Sequence, residues 1–207
     1  DQVLVSTGTS PVLLFAMLAI LDHGDDVILS NPRYPCYQNF IGAAGGGLKE
    51  IQTYPEEGFQ YRHKDIQKKL TRRTKAILIN SPCNPTGIVM SSEQLKDIAR
   101  FDSQYIISDE IYHGLVYGGR AHSILEFTDR AFVINGFSKL YAMTGWRLGY
   151  LIFPKEFSSV MQRIHQNFMI SANGFIQWAG IAALTKAKTD VDAMIKIYSE
   201  RRQYMLA

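Results

Sequence analysis

The residues in this chain that could do chemistry gather where apolar runs end. The segment 81–87 (SPCNPTG) follows the run AILIN, Asp109 and Tyr112 in DEIY follow YIIS, and Lys139 in GFSK follows AFVIN. Taken one at a time, each has an ordinary explanation. An Asp after a strand caps a helix, a Lys after a turn is surface, and Asn-Pro-Thr-Gly makes a turn. In an open α/β sheet, however, ligands sit in the crevice beyond the carboxyl ends of the strands. Polar clusters delivered together to that edge therefore predict a site. An anion subsite is predicted as well, at the turn Gly8-Thr9-Ser10-Pro11. There, backbone N–H groups and two hydroxyls would stand at the N-terminus of a helix over 11–21, with Ser10 as N-cap and Pro11 as the first helical residue.

The elements that must position these groups can be read from periodicity. Strands are predicted over 26–29, 48–53, 76–80, 105–108, 131–135 and 148–153, separated by segments long enough for helices. Several are almost continuously apolar, without the alternation of a half-solvated strand, as expected when helices cover both faces. The fold class is therefore α/β, a mostly parallel sheet flanked by helices. A further helix is predicted over 92–101. After Pro154 the strand signals fade into helical stretches over 156–170, 173–186 and 190–207. Gly45–Gly47 reads as a turn before a strand, since no dinucleotide-binding glycine pattern is present.

Composition bounds the function. The 207 residues carry 22 Lys plus Arg against 19 Asp plus Glu, a net charge of +3 that gives no reason to expect a nucleic-acid or membrane partner. Lys68, Lys69, Arg72, Arg73 and Lys75 read as a solvated helix end. Cys36 and Cys83 are too few and too isolated for a disulfide framework, so a reducing, cytoplasmic setting is expected. The five histidines lack metal-ligand spacing, and no metal is assigned. His113 is expected to pack or lie at the surface rather than line the site.

The segment 136–150 (GFSKLYAMTGWRLGY), together with SPCNPTG, DEIY and the earlier NPRYPCY of 31–37, resembles the class I/II aminotransferases of pyridoxal-phosphate fold type I. The motifs occur in the family's order along essentially the whole chain. The resemblance implies a pyridoxal 5'-phosphate enzyme that moves an amino group from an amino acid to a 2-oxo acid through a pyridoxamine intermediate. Lys139 would hold the cofactor as a Schiff base and shuttle the proton, a task that a cationic neighbourhood and partial burial would favour. Asp109 would keep the pyridine nitrogen protonated. Asn84 and Tyr112 would donate to the phenolate oxygen, and Tyr34 would stack on the ring. Thr9, Ser10, Ser138 and Arg147 would hold the phosphate. The catalytic set is thus Lys139, Asp109 and Tyr112.

Members of the family are longer, and the arginine that grips the substrate carboxylate has no match here. The chain is expected to be a fragment: residues 1–190 as the large cofactor-binding domain, and 191–207 as the start of a helix leading to a truncated small domain. Loops near 95–109 and 117–121 look shorter than in relatives. The resemblance also implies a homodimer. Two alternatives share the same motifs: a pyridoxal-phosphate carbon–sulfur β-lyase, and an aminotransferase-like sensor domain of a transcription regulator.

Overall fold

A computed structural model describes residues Asp1–Ala207. Its sheet has seven strands: β1 (Val3–Ser6), β2 (Asp26–Asn31), β3 (Gly47–Gln52), β4 (Thr74–Asn80), β5 (Tyr105–Asp109), β6 (Ala131–Gly136) and β7 (Gly149–Ile152), in the order β1-β7-β6-β5-β4-β2-β3. From β2 to β6 every pairing is parallel, whereas β7 runs antiparallel to both β6 and β1. The mostly parallel α/β architecture is as expected. The edge strand β1 was not predicted: with four residues it carries too short an alternation to register as periodic, and its pairing to β7 alone makes it a strand.

The helices are α1 (Thr9–Ile20), α2 (Tyr37–Ala43), α3 (His63–Lys69), α4 (Ser92–Ile98), α5 (Ser158–Phe168), α6 (Gly174–Lys186) and α7 (Lys188–Leu206). Helices α2 and α3 were not predicted, because seven residues span barely two turns and tertiary packing must supply their stability. Each does so through buried apolar side chains, Tyr37 and Ile41 from α2 and Ile66 from α3. Helix α4 starts at the reciprocal cap that Ser91 and Gln94 form. Lys68 and Lys69 end α3 and are exposed.

One correction concerns α1. Its N-cap is Gly8, not Ser10, and no side chain caps it. Pro11 is therefore the third helical residue rather than the first. The substitution is tolerated because the opening N–H groups of a helix have no intrahelical partner in any case.

Strand side chains divide cleanly between two cores. Val27, Leu29, Ala76, Leu78, Phe132 and Ile134 face α1, α2 and α5, while Ile28, Ile77, Ile79, Ala131 and Val133 face α3 and α4. Both sets are buried, which is why AILIN and AFVIN read as unbroken apolar runs. The parallel register pairs Asn80 with Asp109, the last residues of β4 and β5, so the polar ends arrive side by side.

Candidate functional site

A cleft of about 250 Å³ opens beyond these strand ends. All nine residues that the resemblance assigns to the cofactor line it: Thr9 and Ser10 from the start of α1, Tyr34 from the turn before α2, Asn84 after β4, Asp109 at the end of β5 and Tyr112 after it, and Ser138, Lys139 and Arg147 after β6. Tyr37, Asn80 and Thr144 line it too and were missed. His113 does not line it, as expected, and its Nδ1 lies 3.3 Å from Glu110 instead.

The floor is built around Asp109, which is 5% exposed. Its Oδ2 accepts a 2.8 Å hydrogen bond from the Tyr37 hydroxyl, and its Oδ1 accepts one from the Ile111 N–H at 3.2 Å. Burial pushes the Asp109 carboxyl up to about 6, against the opposing pull of those two donors and of Lys139. The same burial, with the adjacent carboxylate, pushes the Tyr37 phenol well above its usual range. Asn80 donates from Nδ2 to the Asp109 carbonyl at 2.9 Å, and its Oδ1 accepts the Asn84 N–H at 2.7 Å, anchoring the start of the Asn-Pro-Thr-Gly turn. Tyr37 stood within the quoted NPRYPCY segment, but nothing in a sequence tells which of two nearby tyrosines will reach a strand end seventy-two positions later.

The opposite end is cationic. Gly8, at φ 104, holds a conformation that side chains rarely adopt, and a Cβ there would stand 2.6 Å from Arg147 Nη2. A Cβ on Gly149 would stand 2.7 Å from the Gly8 carbonyl carbon, and one on Gly136 would stand 3.1 Å from Thr9 Cγ2. The start of α1 therefore sits directly against the ends of β6 and β7, with the Arg147 guanidinium beside it. Arg147 takes a left-handed backbone (φ 55, ψ 55) and donates from Nη1 to the Thr144 carbonyl at 3.0 Å. Thr144 in turn donates its hydroxyl to the Ser138 carbonyl at 3.0 Å, which ties the Arg147 turn to the Ser-Lys pair. Helix N–H groups, hydroxyls and a guanidinium converging on one point make an anion cradle.

Lys139 lines the same cleft, its Nζ 5.5 Å from the Tyr112 ring centroid and within cation–π range. Lys139 is exposed. Tyr34 meets Tyr37 edge-to-face, centroids 5.4 Å apart, and presents its ring to the cleft. The Tyr34 phenol is raised above its ordinary value, first by the neighbouring Cys36 side chain and then by burial.

A cleft with an anion cradle, an amine on its rim and a buried carboxylate at its floor can be compared with known proteins. The family described as aminotransferase class I and II matches residues 1–207. The chain belongs to that family. Among similar aminotransferases, a (5-formylfuran-3-yl)methyl phosphate transaminase of Methanocaldococcus jannaschii is 41% identical over 100% of this chain and 54% of that protein. The aspartate aminotransferase of Thermotoga maritima is 38% identical over 100% of the chain and 55% of its own length. Among solved aminotransferase structures, the Thermus thermophilus aspartate enzyme with maleate superposes with a TM-score of 0.91 at 37% identity, covering 97% of this chain and 54% of that one. The aromatic aminotransferase of Pyrococcus horikoshii gives 0.93 at 34% identity, covering 98% and 57%. The chain spans about half the length of the curated relatives it matches.

Proposed function

We propose that the protein is a pyridoxal 5'-phosphate-dependent transaminase that moves an amino group from an amino acid to a 2-oxo acid. The observation that carries this reading is the one cleft that Lys139, Arg147 with the start of α1, and the buried Asp109 line together. The donor set suits the cofactor at both ends. Thr9, Ser10, Ser138 and Arg147 offer N–H, hydroxyl and guanidinium donors to its phosphate, in a cradle that a Cβ on Gly8 would fill. Asp109 offers a carboxylate to its ring nitrogen.

When bound, the cofactor supplies an electron sink for the bond being broken at the substrate α-carbon. The chain's own residues supply the rest. Lys139 Nζ would hold the cofactor aldehyde and, as a free amine, would serve as the base and acid for the proton at the substrate α-carbon. Asp109 keeps negative charge where ring cationic charge is needed. Burial raises the carboxyl to about 6, and an adjacent cation would lower it again and hold it ionised. Asn84 and Tyr112 would donate to the phenolate oxygen, and Tyr34 would stack on the ring, a contribution of about 0.5 to 1.5 kcal/mol beyond area burial.

The further proposals concern the whole protein. Residues 1–190 form the cofactor-binding unit and 191–207 lead out of it, which the absence of any buried residue in α7 supports. A homodimer is supported by the exposed apolar side chains Phe175, Trp178, Ile181 and Leu184 on α6. A reducing, cytoplasmic setting fits the free thiols Cys36 and Cys83. No observation favours the carbon–sulfur lyase or the regulator.

The test is reductive trapping. The full-length protein is loaded with pyridoxal phosphate, treated with borohydride and digested, and the modified peptide is identified by mass. Label on Lys139, lost in Lys139→Ala together with the visible absorbance, is expected. Label on another lysine, or an unchanged spectrum in the variant, refutes the reading. A panel of amino acids added to the loaded protein in single turnover then identifies the donor.

A further inference from the structure

Glu110 follows Asp109 in sequence but does not line the cleft. Its side chain is 4% exposed, and burial holds its carboxyl above the usual range. A carboxylate so placed is costly unless its oxygens are satisfied. Oε1 is, and by groups from separate pieces of chain. Oε1 accepts from the Ser108 hydroxyl at 2.9 Å, the Ser123 hydroxyl at 3.1 Å and the Ile124 N–H at 3.0 Å. Oε2 lies 3.3 Å from His113 Nδ1. The backbone of Glu110 is fixed as well: its N–H donates to the Ile134 carbonyl on β6 at 2.8 Å, and its carbonyl accepts the His113 N–H at 2.9 Å.

The geometry of these bonds has a direction. Tyr112 lies within the turn 110–113, whose two ends are joined both through the backbone and through the Glu110–His113 side-chain contact. The loop that leaves this turn carries Gly114, Gly118 and Gly119 and is mostly exposed from Tyr117 to Arg120. It closes at Ser123 and Ile124, on the same Glu110 oxygen. One buried carboxylate thus closes both the turn that bears Tyr112 and the loop beyond it. An apolar residue would fill the space as well, but it would leave Ser108, Ser123 and Ile124 without their common acceptor.

We propose that Glu110 is a positioning residue that acts through Tyr112: by clamping the turn 110–113 and the loop return at 123–124 onto β5, it sets the Tyr112 phenol for its contact with the cofactor. The inference rests on the cofactor role proposed above for Tyr112.

The experiment compares Glu110→Ala, Glu110→Gln, Tyr112→Phe and the Glu110→Ala/Tyr112→Phe pair in the full-length holoenzyme. The readouts are cofactor Kd and the pH midpoint of the bound cofactor's visible absorbance. Glutamine retains an acceptor for the converging donors, so it should stay within about twofold of wild type in Kd. Alanine should raise Kd about tenfold, the loss of roughly one hydrogen bond, and should shift the absorbance midpoint in the same direction as Tyr112→Phe. In the Tyr112→Phe background the Glu110→Ala change should add no further midpoint shift. An unshifted midpoint in Glu110→Ala, or a shift that adds fully in the double variant, overturns the proposal.

Amide hydrogen exchange in the apo protein reads the clamp without the cofactor. In Glu110→Ala, or in the milder Ser123→Ala if that variant folds poorly, the His113 and Ile124 amides should exchange faster while those of β4 and β5 do not. Unchanged exchange at His113 and Ile124 also overturns the proposal. Failure of wild type to be trapped at Lys139 would instead overturn the cofactor reading, so the two failures are distinguishable.

Discussion

Replacing Asp109 by Asn should stabilise the apo protein at neutral pH while weakening cofactor binding, and the first effect can be worked from the structure. The folded carboxyl titrates at about 6 against an ordinary value of 3.8, chiefly because it is buried. The folded state therefore holds this proton more tightly than the unfolded chain does. Between about pH 4 and pH 6 the folded state binds more protons, so stability falls as pH rises through this window and is flat above it. The displacement corresponds to about 3 kcal/mol. Asparagine removes the charge yet can keep both bonds: its carbonyl accepts the Ile111 N–H, and its amide can donate to the Tyr37 hydroxyl, which accepts as readily as it donates. The assay is urea unfolding of apo wild type and Asp109→Asn across a pH series. The variant's advantage should be near zero at about pH 4 and approach about 3 kcal/mol by about pH 8. Glu110 is also raised but is present in both proteins, so its slope cancels. A difference that does not vary with pH would refute the reasoning. The cofactor titration should move the other way, with Asp109→Asn binding pyridoxal phosphate more weakly.

Tyr37→Phe removes the donor to Asp109 Oδ2 and leaves a buried acceptor unmatched, a cost of about 1 to 3 kcal/mol once the carboxyl is ionised and less when it is protonated. Urea unfolding of the apo variant above and below about pH 6 checks this difference. Gly8→Ala forces a side chain onto φ 104 and against Arg147 Nη2, so it should cost about 1 to 3 kcal/mol in thermal or urea unfolding and should also weaken phosphate-dependent cofactor binding. Gly58→Ala is the control: its φ of 64 is also unfavourable for alanine, but the nearest atom, Gln60 Cγ, is 3.8 Å away and the position does not line the cleft, so cofactor affinity should not change.

Much of the site was legible because its groups follow strands, and strands covered on both faces announce themselves as unbroken apolar runs. Asn84, Asp109, Ser138 and Lys139 could each be placed at the carboxyl edge from local pattern alone. Local pattern failed where stability is borrowed. Strand β1 has its side-chain alternation but only β7 as a partner, and α2 and α3 are too short to persist without the core they bury into. The cap of α1 was misread by two residues because Ser10 and Pro11 are good N-terminal signals in isolation. The close approach of β7 at Gly149 and the backbone of Gly8 decide the actual start.

The amino-acid order alone determined the sheet class and the chain of polar loops, since these depend on near neighbours in sequence, while the roles proposed for Lys139, Asp109 and Arg147 rest on the resemblance that their motifs carry. Tertiary structure alone decided which groups meet: that Tyr37 rather than Tyr34 bonds Asp109, that Gly8 makes room for Arg147, and that Glu110 gathers a loop closed thirteen positions away. Such contacts join residues far apart along the chain, and each requires the whole sheet to have assembled before its partners can come within reach.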